Sequence, residues 1–339
     1  MLRGGREKQV ILSTPGFPSP VPRPPRVRHR IASESSFGRG VFATCDIKAG
    51  ELIMSERALL IAPTTIPVPT LQCGATAEQV RRAHLVEHEK LLELCFQRML
   101  PENRAAFLAL HDTHLEDGLG RILGRFRTNG MSITGGRTQG SLPPGHYELT
   151  AVYNEQSNIN HSCTPNASPS RHPASFSGQI YALRDIKQGE EIFISYCDAG
   201  QSTALRQASL QPYAFQCTCR ACTDPTSDAL LAAIEANHLV HEGEPSAAAT
   251  LAHAQEWLAQ IEAMGWEELL QYGGYLSMAI YAAMALGRED ETRKYKDRQY
   301  AGCEARLGDP RSRFWFLPPG CLSDEEKVFS ERIRVVEGI

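Results

Sequence analysis

Asn158-Ile159-Asn160-His161-Ser162-Cys163-Thr164-Pro165-Asn166 sets an amide, an imidazole and a thiol within four consecutive residues and stops regular helix at Thr164-Pro165. The proline ring disfavours helical geometry at the residue before it, so the stretch reads as a turn that aims its side chains into a site. Taken alone it is equally an ordinary polar turn, since Asn and Ser populate turns for backbone reasons. Two later stretches decide between these readings. Glu190-Glu191-Ile192-Phe193-Ile194-Ser195-Tyr196-Cys197-Asp198 is an apolar strand ending in a tyrosine, and Tyr213-Ala214-Phe215-Gln216-Cys217-Thr218-Cys219-Arg220-Ala221-Cys222 carries three thiols at C-x-C-x-x-C spacing. Upstream, Ser36-Phe37-Gly38-Arg39-Gly40-Val41-Phe42-Ala43-Thr44 reads as a glycine turn feeding a short strand, with a second turn and strand from Ile47 to Glu56.

In this order the motifs resemble those of SET-domain protein lysine methyltransferases, including the cysteine-rich post-SET segment. The resemblance spans roughly Arg30 to Thr223 and points to the SET-and-MYND branch of that family. It implies S-adenosylmethionine as cofactor and the side-chain amine of lysine, in a histone or other protein, as methyl acceptor. It makes Tyr196 the catalytic tyrosine, also touching the cofactor, Tyr213 a wall of the substrate channel and Phe215 the ring over the adenine. Asn160 and the backbone at His161 would contact the cofactor, with Ser157 and Ile159 bordering it. Gly38, Arg39 and Gly40 would approach its carboxylate end, and Asn129, which could simply hold a turn, would lie against its amino-acid end. Cys163, Cys217, Cys219 and Cys222 would close one structural zinc site, four thiols being a complete tetrahedral set. A core tyrosine with a satisfied hydroxyl is the competing reading of Tyr196. A non-catalytic SET-fold interaction protein, binding a partner through its C-terminal helices, is the competing reading of the chain.

Composition sets the bounds. The chain of 339 residues is 42% hydrophobic and 22% charged, the balance of a soluble globular protein of one large domain plus a smaller one. No apolar run approaches the roughly 18 residues of a membrane span, and no signal peptide opens the chain, so the expected location is nucleus or cytoplasm. Ten cysteines in a chain of this length point to reduced thiols and metal rather than a disulfide scaffold. A net charge of -4 makes nucleic acid an unlikely main partner; the expected partner is a lysine-containing protein segment, with the enzyme a monomer.

The expected fold is α+β: a mainly β SET domain with a pseudoknot, a helical insert and a post-SET zinc site, followed by a tetratricopeptide-like helical domain. Residues 1–28, basic and proline-rich, read as a disordered tail or as a ligand for a proline-binding domain. The SET domain with its post-SET segment takes 29–225, its insert about 72–115, and the helical domain 226–310; residues 311–339 form a tail. Thr76 to Gln79 looks like a capping box, opening a helix whose Leu85, Leu92, Phe96 and Met99 share one face. The MYND zinc module that relatives carry near here needs a dense run of Cys and His. Only Cys73, His84, His88 and Cys95 are available, so the module is read as absent and these residues as packing or solvated-face groups. Gly135 to Gly145 reads as a flexible loop. Asp228–His241, Ser246–Met264, Trp266–Leu286 and Glu289–Leu307 are of helical length and read as helix hairpins, with Trp257, Tyr272 and Tyr275 in their core.

Overall fold

The computed structural model describes residue 13 and residues 16–36, 38–67, 74–115, 118–133, 148–172, 174–238 and 246–307. Among the described residues, ten strands form three small sheets, and nine α-helices are packed around them. β1 (His29–Ser35) and β2 (Gly38–Ala43) form the glycine-turn hairpin, Gly38 adopting φ 91°, which residues with a side chain rarely accept. β3 (Leu52–Glu56), β4 (Leu60–Pro63), β5 (Gly130–Ser132) and β6 (Leu149–Val152) follow. β7 (Asn160–His161) is the central motif itself; β8 (Ala167–His172), β9 (Ser177–Ala182) and β10 (Glu191–Ile194) complete the set.

The sheet that decides the site runs in the order β1-β2-β10-β7. β10 pairs antiparallel with β2 through Ile192 and Val41, and parallel with β7 through Phe193 with Asn160 and Ile194 with His161. The central motif therefore lies beside the strand that leads into Tyr196. The other sheets are β3-β9-β8 and β4-β6-β5. Val41, Ile53, Ile159, Ile180, Ile186 and Ile192 are fully buried where the first two sheets meet, each aliphatic side chain contributing about 1.5–3 kcal/mol.

The insert is larger than the sequence suggests. α1 (Ala77–Gln97) carries the capping box, Thr76 Oγ1 accepting from Gln79 N while Gln79 Oε1 accepts from Thr76 N. α2 (Pro101–Leu108) begins on its proline, whose missing N–H costs nothing in the first turn. α3 (Arg121–Asn129) was not foreseen, because its N-terminus follows Gly120, with no side-chain cap of its own; Glu89 of α1 accepts instead from Ile122 N and Leu123 N. Leu92, Phe96, Phe107, Ile122, Leu123 and Phe126 close a separate core among these helices and β4 and β6. His88, expected as a packing or solvated-face group, is buried and bonds Pro63 O, while His84 bonds Ile66 O. Cys73 and residues 134–147 lie outside the described residues.

After β10, α4 (Thr203–Leu210) and the short α5 (Arg220–Thr223) flank the cysteine segment. α6 (Ser227–His238), α7 (Ala247–Met264), α8 (Leu270–Ala285) and α9 (Glu289–Leu307) follow, with α8 packed against the other three. Trp266, expected to open a helix, instead lies in a turn. Gly265 takes φ 77°, Trp266 N reaches back to Ile261 O, and the indole is wholly buried, a C-terminal cap of the Schellman kind. Trp257 is half-buried, with its ring stacked on the buried Tyr275.

Two features modify the expected division of the chain. The segment expected to be a disordered tail touches the core: Ser19 N donates to Ala174 O, and the buried Arg28 donates to Leu52 O and pairs with Glu51. A guanidinium with these partners is fixed, so ordered structure extends before residue 29. At the other boundary, Cys163, Cys217, Leu210 and Ala221 share one hydrophobic core with Leu231, Ile234, Leu269 and Tyr272 of the C-terminal helices. The cysteine segment and those helices are packed as one layer.

Candidate active site and thiol cluster

Asn160 and His161 are held rigidly by β10. Asn160 Nδ2 donates to Ser35 Oγ (3.1 Å), Arg39 O (2.9 Å) and Glu191 Oε1 (2.7 Å). With its two N–H bonds shared among these three acceptors, the amide has Oδ1 left as an acceptor. Gly40 is required by this arrangement, since a Cβ there would meet Glu191, Ser35 and Asn160 side chains within about 3 Å. Gly38 and Arg39 are exposed beside it.

His161 Nδ1 accepts from Tyr196 N at 2.9 Å, so in the neutral ring the proton sits on Nε2, 3.2 Å from Cys163 Sγ. Asn166, quoted with the central motif but given no role there, acts as a strand substitute: it donates to Glu191 O and accepts from Phe193 N.

Tyr196 lies at the seam of the sheet core and the C-terminal core, packing against both. Its hydroxyl donates to Ile159 O at 2.5 Å. Burial pushes this phenol above its ordinary range, with Tyr213 and Glu191 adding to the effect, so it is neutral at neutral pH. Tyr213 stands 4.9 Å from Tyr196 between ring centroids, and Phe215 stands 5.9 Å from His161. Between them Ala214 adopts φ 58°, ψ 32°, a left-handed conformation that non-glycine residues adopt at a cost and that sends the two flanking rings to different neighbours. Thr113 Oγ1 of the insert donates to Pro212 O and ties this turn down.

The other candidate residues stand around this group. Ile159 is buried beneath Tyr196, and Ser157 donates to Tyr153 O. Asn129 is buried at the end of α3 with its Nδ2 donating to His111 O and Arg125 O, which is the turn-holding role its sequence also allowed.

Cys163, Cys217, Cys219 and Cys222 converge, their sulfurs all within 4.8 Å of one another. Cys163 Sγ is 3.9 Å from Cys217 Sγ and 3.6 Å from Cys222 Sγ. Tetrahedral zinc with Zn–S of about 2.3 Å separates its sulfurs by about 3.8 Å, so the cluster has the spacing such an ion needs. The thiols cannot ionise together unaided. Hydrogen bonds with Cys197, Cys217 and Cys219 push Cys163 up, while those Cys219 receives from Cys163 and Cys217 pull it down. A divalent cation bound there would resolve that conflict.

Two residues at the cluster escaped the sequence reading. Arg206 is completely buried and donates to Ala221 O (2.9 Å), Thr203 Oγ1 (2.9 Å) and, at 3.9 Å, Cys222 Sγ, bringing a positive charge to the cysteine cluster. Cys197 groups with His161 and Cys163 within 4.8 Å. Its place directly after Tyr196 was the available signal. Among the described residues no Cys and His of the insert converge in this way.

A SET domain matches residues 38–197, just under half of the chain. Histone-lysine N-methyltransferase set5 of Schizosaccharomyces pombe is 30% identical over 165 residues, 48% of this chain and 46% of that protein. SET domain-containing protein SmydA-8 of Drosophila melanogaster is 27% identical over 270 residues, 58% of this chain and 56% of that protein. Protein-lysine N-trimethyltransferase SMYD5 of Mus musculus is 39% identical over 85 residues, 24% of this chain and 20% of that protein. The chain thus spans about half, or less, of the length of the curated relatives it matches. Residues 38–197 thus match a SET domain, and SET-and-MYND proteins are among the relatives of the chain.

Proposed function

We propose that this chain transfers a methyl group from S-adenosylmethionine to the side-chain amine of a lysine in a protein substrate; its relatives in Schizosaccharomyces pombe and Mus musculus are named as lysine methyltransferases. The observation that carries this reading is the meeting of Tyr196 with Tyr213 on one side and the Asn160-His161 pair on the other.

The cofactor supplies an electrophilic methyl group on a positively charged sulfur. Asn160 Oδ1, with its amide nitrogen committed elsewhere, is an acceptor suited to the cofactor's ammonium group. The exposed Arg39 suits its carboxylate, and Phe215, beside His161, suits an adenine face. Tyr196 and Tyr213 form an aromatic passage for the lysine. A free lysine has a pKa of about 10.4, and neutralising it near pH 7.4 costs about 4 kcal/mol. An apolar passage lowers that cost by disfavouring the ammonium form. Because Tyr196 is a neutral phenol whose proton is given to Ile159 O, its part is alignment of the reacting centre and not proton abstraction.

One structural zinc held by Cys163, Cys217, Cys219 and Cys222 completes the reading. Four thiolates leave no open position for a water, so the ion would crosslink the central motif to the segment bearing Tyr213 and Phe215.

The test is a labelled-methyl assay on a cell extract with the purified chain, followed by mass spectrometry of any labelled band. Labelled lysine that disappears with Tyr196→Phe supports the reading. Measurable cofactor binding with no labelled protein overturns it in favour of a non-catalytic SET-fold protein.

A further inference from the structure

Five thiols converge where a tetrahedral ion takes four. Cys163 belongs to both groups: it lies with Cys217, Cys219 and Cys222 on one side, and with His161 and Cys197 on the other, each group within 4.8 Å. Cys163 is wholly buried, whereas Cys197 is half-buried beside Tyr196. Ser195 Oγ donates to Cys197 O and holds the turn that presents it.

We propose that Cys197 is an oxidation site, at which a hydroperoxide links Cys197 to Cys163 and so opens the four-thiolate metal site. The inference goes beyond methyl transfer and rests on the four-thiolate reading given above.

The side chains are near enough to bond. Ile194 is paired with His161 in parallel register, and Ser162 N donates to Ile194 O. Just past these pairs both segments leave their strands as bends, and the bends bring Cys163 Sγ and Cys197 Sγ within 4.8 Å of each other.

The chemistry favours Cys197 as the first sulfur to react. It is outside the set of four, so its lone pairs are not committed to a metal, and it is the more accessible of the pair. Its thiolate attacks one oxygen of the hydroperoxide, the O–O bond breaks, and the other oxygen leaves as an alcohol or water, giving a sulfenic acid. Cys163 sulfur then attacks the Cys197 sulfur, and the hydroxyl leaves as water after taking up a proton. Two thiols have lost two electrons and the peroxide has gained them. With the Cys163 lone pair in the S–S bond, only Cys217, Cys219 and Cys222 would remain to hold the ion, an incomplete set for structural zinc.

The experiment treats the purified full chain, with its zinc content measured first, with hydrogen peroxide. Released zinc is followed with a chromogenic chelator, and disulfides are mapped by peptide mass spectrometry. The expected result is loss of one zinc per chain with a Cys163–Cys197 crosslink, both reversed by dithiothreitol and added zinc. Cys197→Ser and Cys197→Ala, each checked for zinc and for circular dichroism before oxidation, should release zinc about ten-fold more slowly or less, while Cys45→Ser should behave as wild type. Release at the wild-type rate from both Cys197 variants, or crosslinks confined to Cys217, Cys219 and Cys222, overturns the proposal. Should either variant fail to hold zinc, the crosslink in the wild type decides. A wild type purified without metal would defeat the four-thiolate reading, whereas a missing Cys163–Cys197 crosslink would defeat this proposal.

Discussion

The backbone N–H of Tyr196 donates to Nδ1 of His161 across 2.9 Å. That one bond settles the tautomer of the imidazole, and with it the direction of the Nε2–H toward Cys163. The candidate reacting centre and the thiol cluster are thereby joined through a single imidazole, its centroid 5.3 Å from that of the Tyr196 ring and tilted 50° to it.

Tyr196→Phe should keep the fold and cofactor affinity and slow methyl transfer about 100-fold or more, the loss expected when one aligned polar group is removed from a reacting centre. The ring still packs between the two cores. Ile159 O loses its donor, so a drop of about 1 kcal/mol in unfolding free energy should accompany the change. Near wild-type turnover, read by single-turnover kinetics on labelled substrate, would remove Tyr196 from its proposed role.

Glu56 gives a pH dependence with a definite sign. Its carboxylate accepts from the backbone N–H groups of Asn154, Glu155 and Gln156, at the start of the turn that leads into the central motif. Burial nonetheless dominates these bonds and pushes it up to about 7 from 4.5. Between those values the folded chain keeps a proton that the unfolded chain has released. The stability Glu56 contributes is therefore fully present below about pH 4.5, declines as pH rises to about 7, and is level above. The difference in melting temperature between wild type and Glu56→Gln should shrink across that window; Glu267, also raised by burial, and Asp46 and Asp185, both lowered by hydrogen bonds, are shared and cancel. A difference that grows from pH 4.5 to 7 would show that the three N–H donors hold the carboxylate ionised.

Arg184 binds the central turn to the C-terminal helices. It donates to Pro165 O (2.6 Å) and Thr164 O (3.1 Å) and pairs with the buried Glu267 at 3.0 Å. Arg184→Ala would leave that carboxylate buried without its cation. Because Arg184 itself is a third exposed, the cost should be about 2 kcal/mol, less than for a fully buried pair. Arg184→Met with Glu267→Gln should recover much of it in urea denaturation. Equal losses in the single and double variants would mean that the contacts to Thr164 and Pro165, and not the ion pair, hold the two parts together.

What the sequence made legible was local. The capping box at Thr76, the C-x-C-x-x-C spacing and the apolar run into Tyr196 each lie within ten residues, so their chemistry is visible without a fold. Helix Arg121–Asn129 was missed because Glu89, on another helix, binds its first N–H groups. The anchoring of Arg28 depends on Glu51 and Leu52, and the reason for Gly40 lies in Glu191 and Asn160. Arg206 and Cys197 became meaningful only when folding carried them to Cys163. Long-range partners of single polar side chains leave no periodic trace in a sequence, whereas turns, caps and ligand spacings do.

The last prediction concerns the metal and the aromatic segment together. Cys219→Ser should lower zinc content and S-adenosylmethionine affinity in the same protein, since binding free energy at such a site is also folding free energy for the segment that carries its ligands. Phe215, four residues from Cys219, would then be held less firmly beside His161. The loss should be partial. Leu210 and Ala221 remain buried against the C-terminal helices, and the insert still holds the turn through Thr113 and Pro212, so apolar packing keeps the segment near its place when the ion is gone. A fall in cofactor affinity of about ten-fold, near 1.4 kcal/mol, fits that division of labour. Cys45→Ser, a partly buried thiol outside the cluster, is the control and should change neither quantity. Elemental analysis gives the zinc stoichiometry and calorimetry the affinity. A Cys219→Ser protein that binds cofactor as tightly as the wild type would falsify the coupling, and a wild type that carries no zinc when purified without chelator would remove the ion from the account.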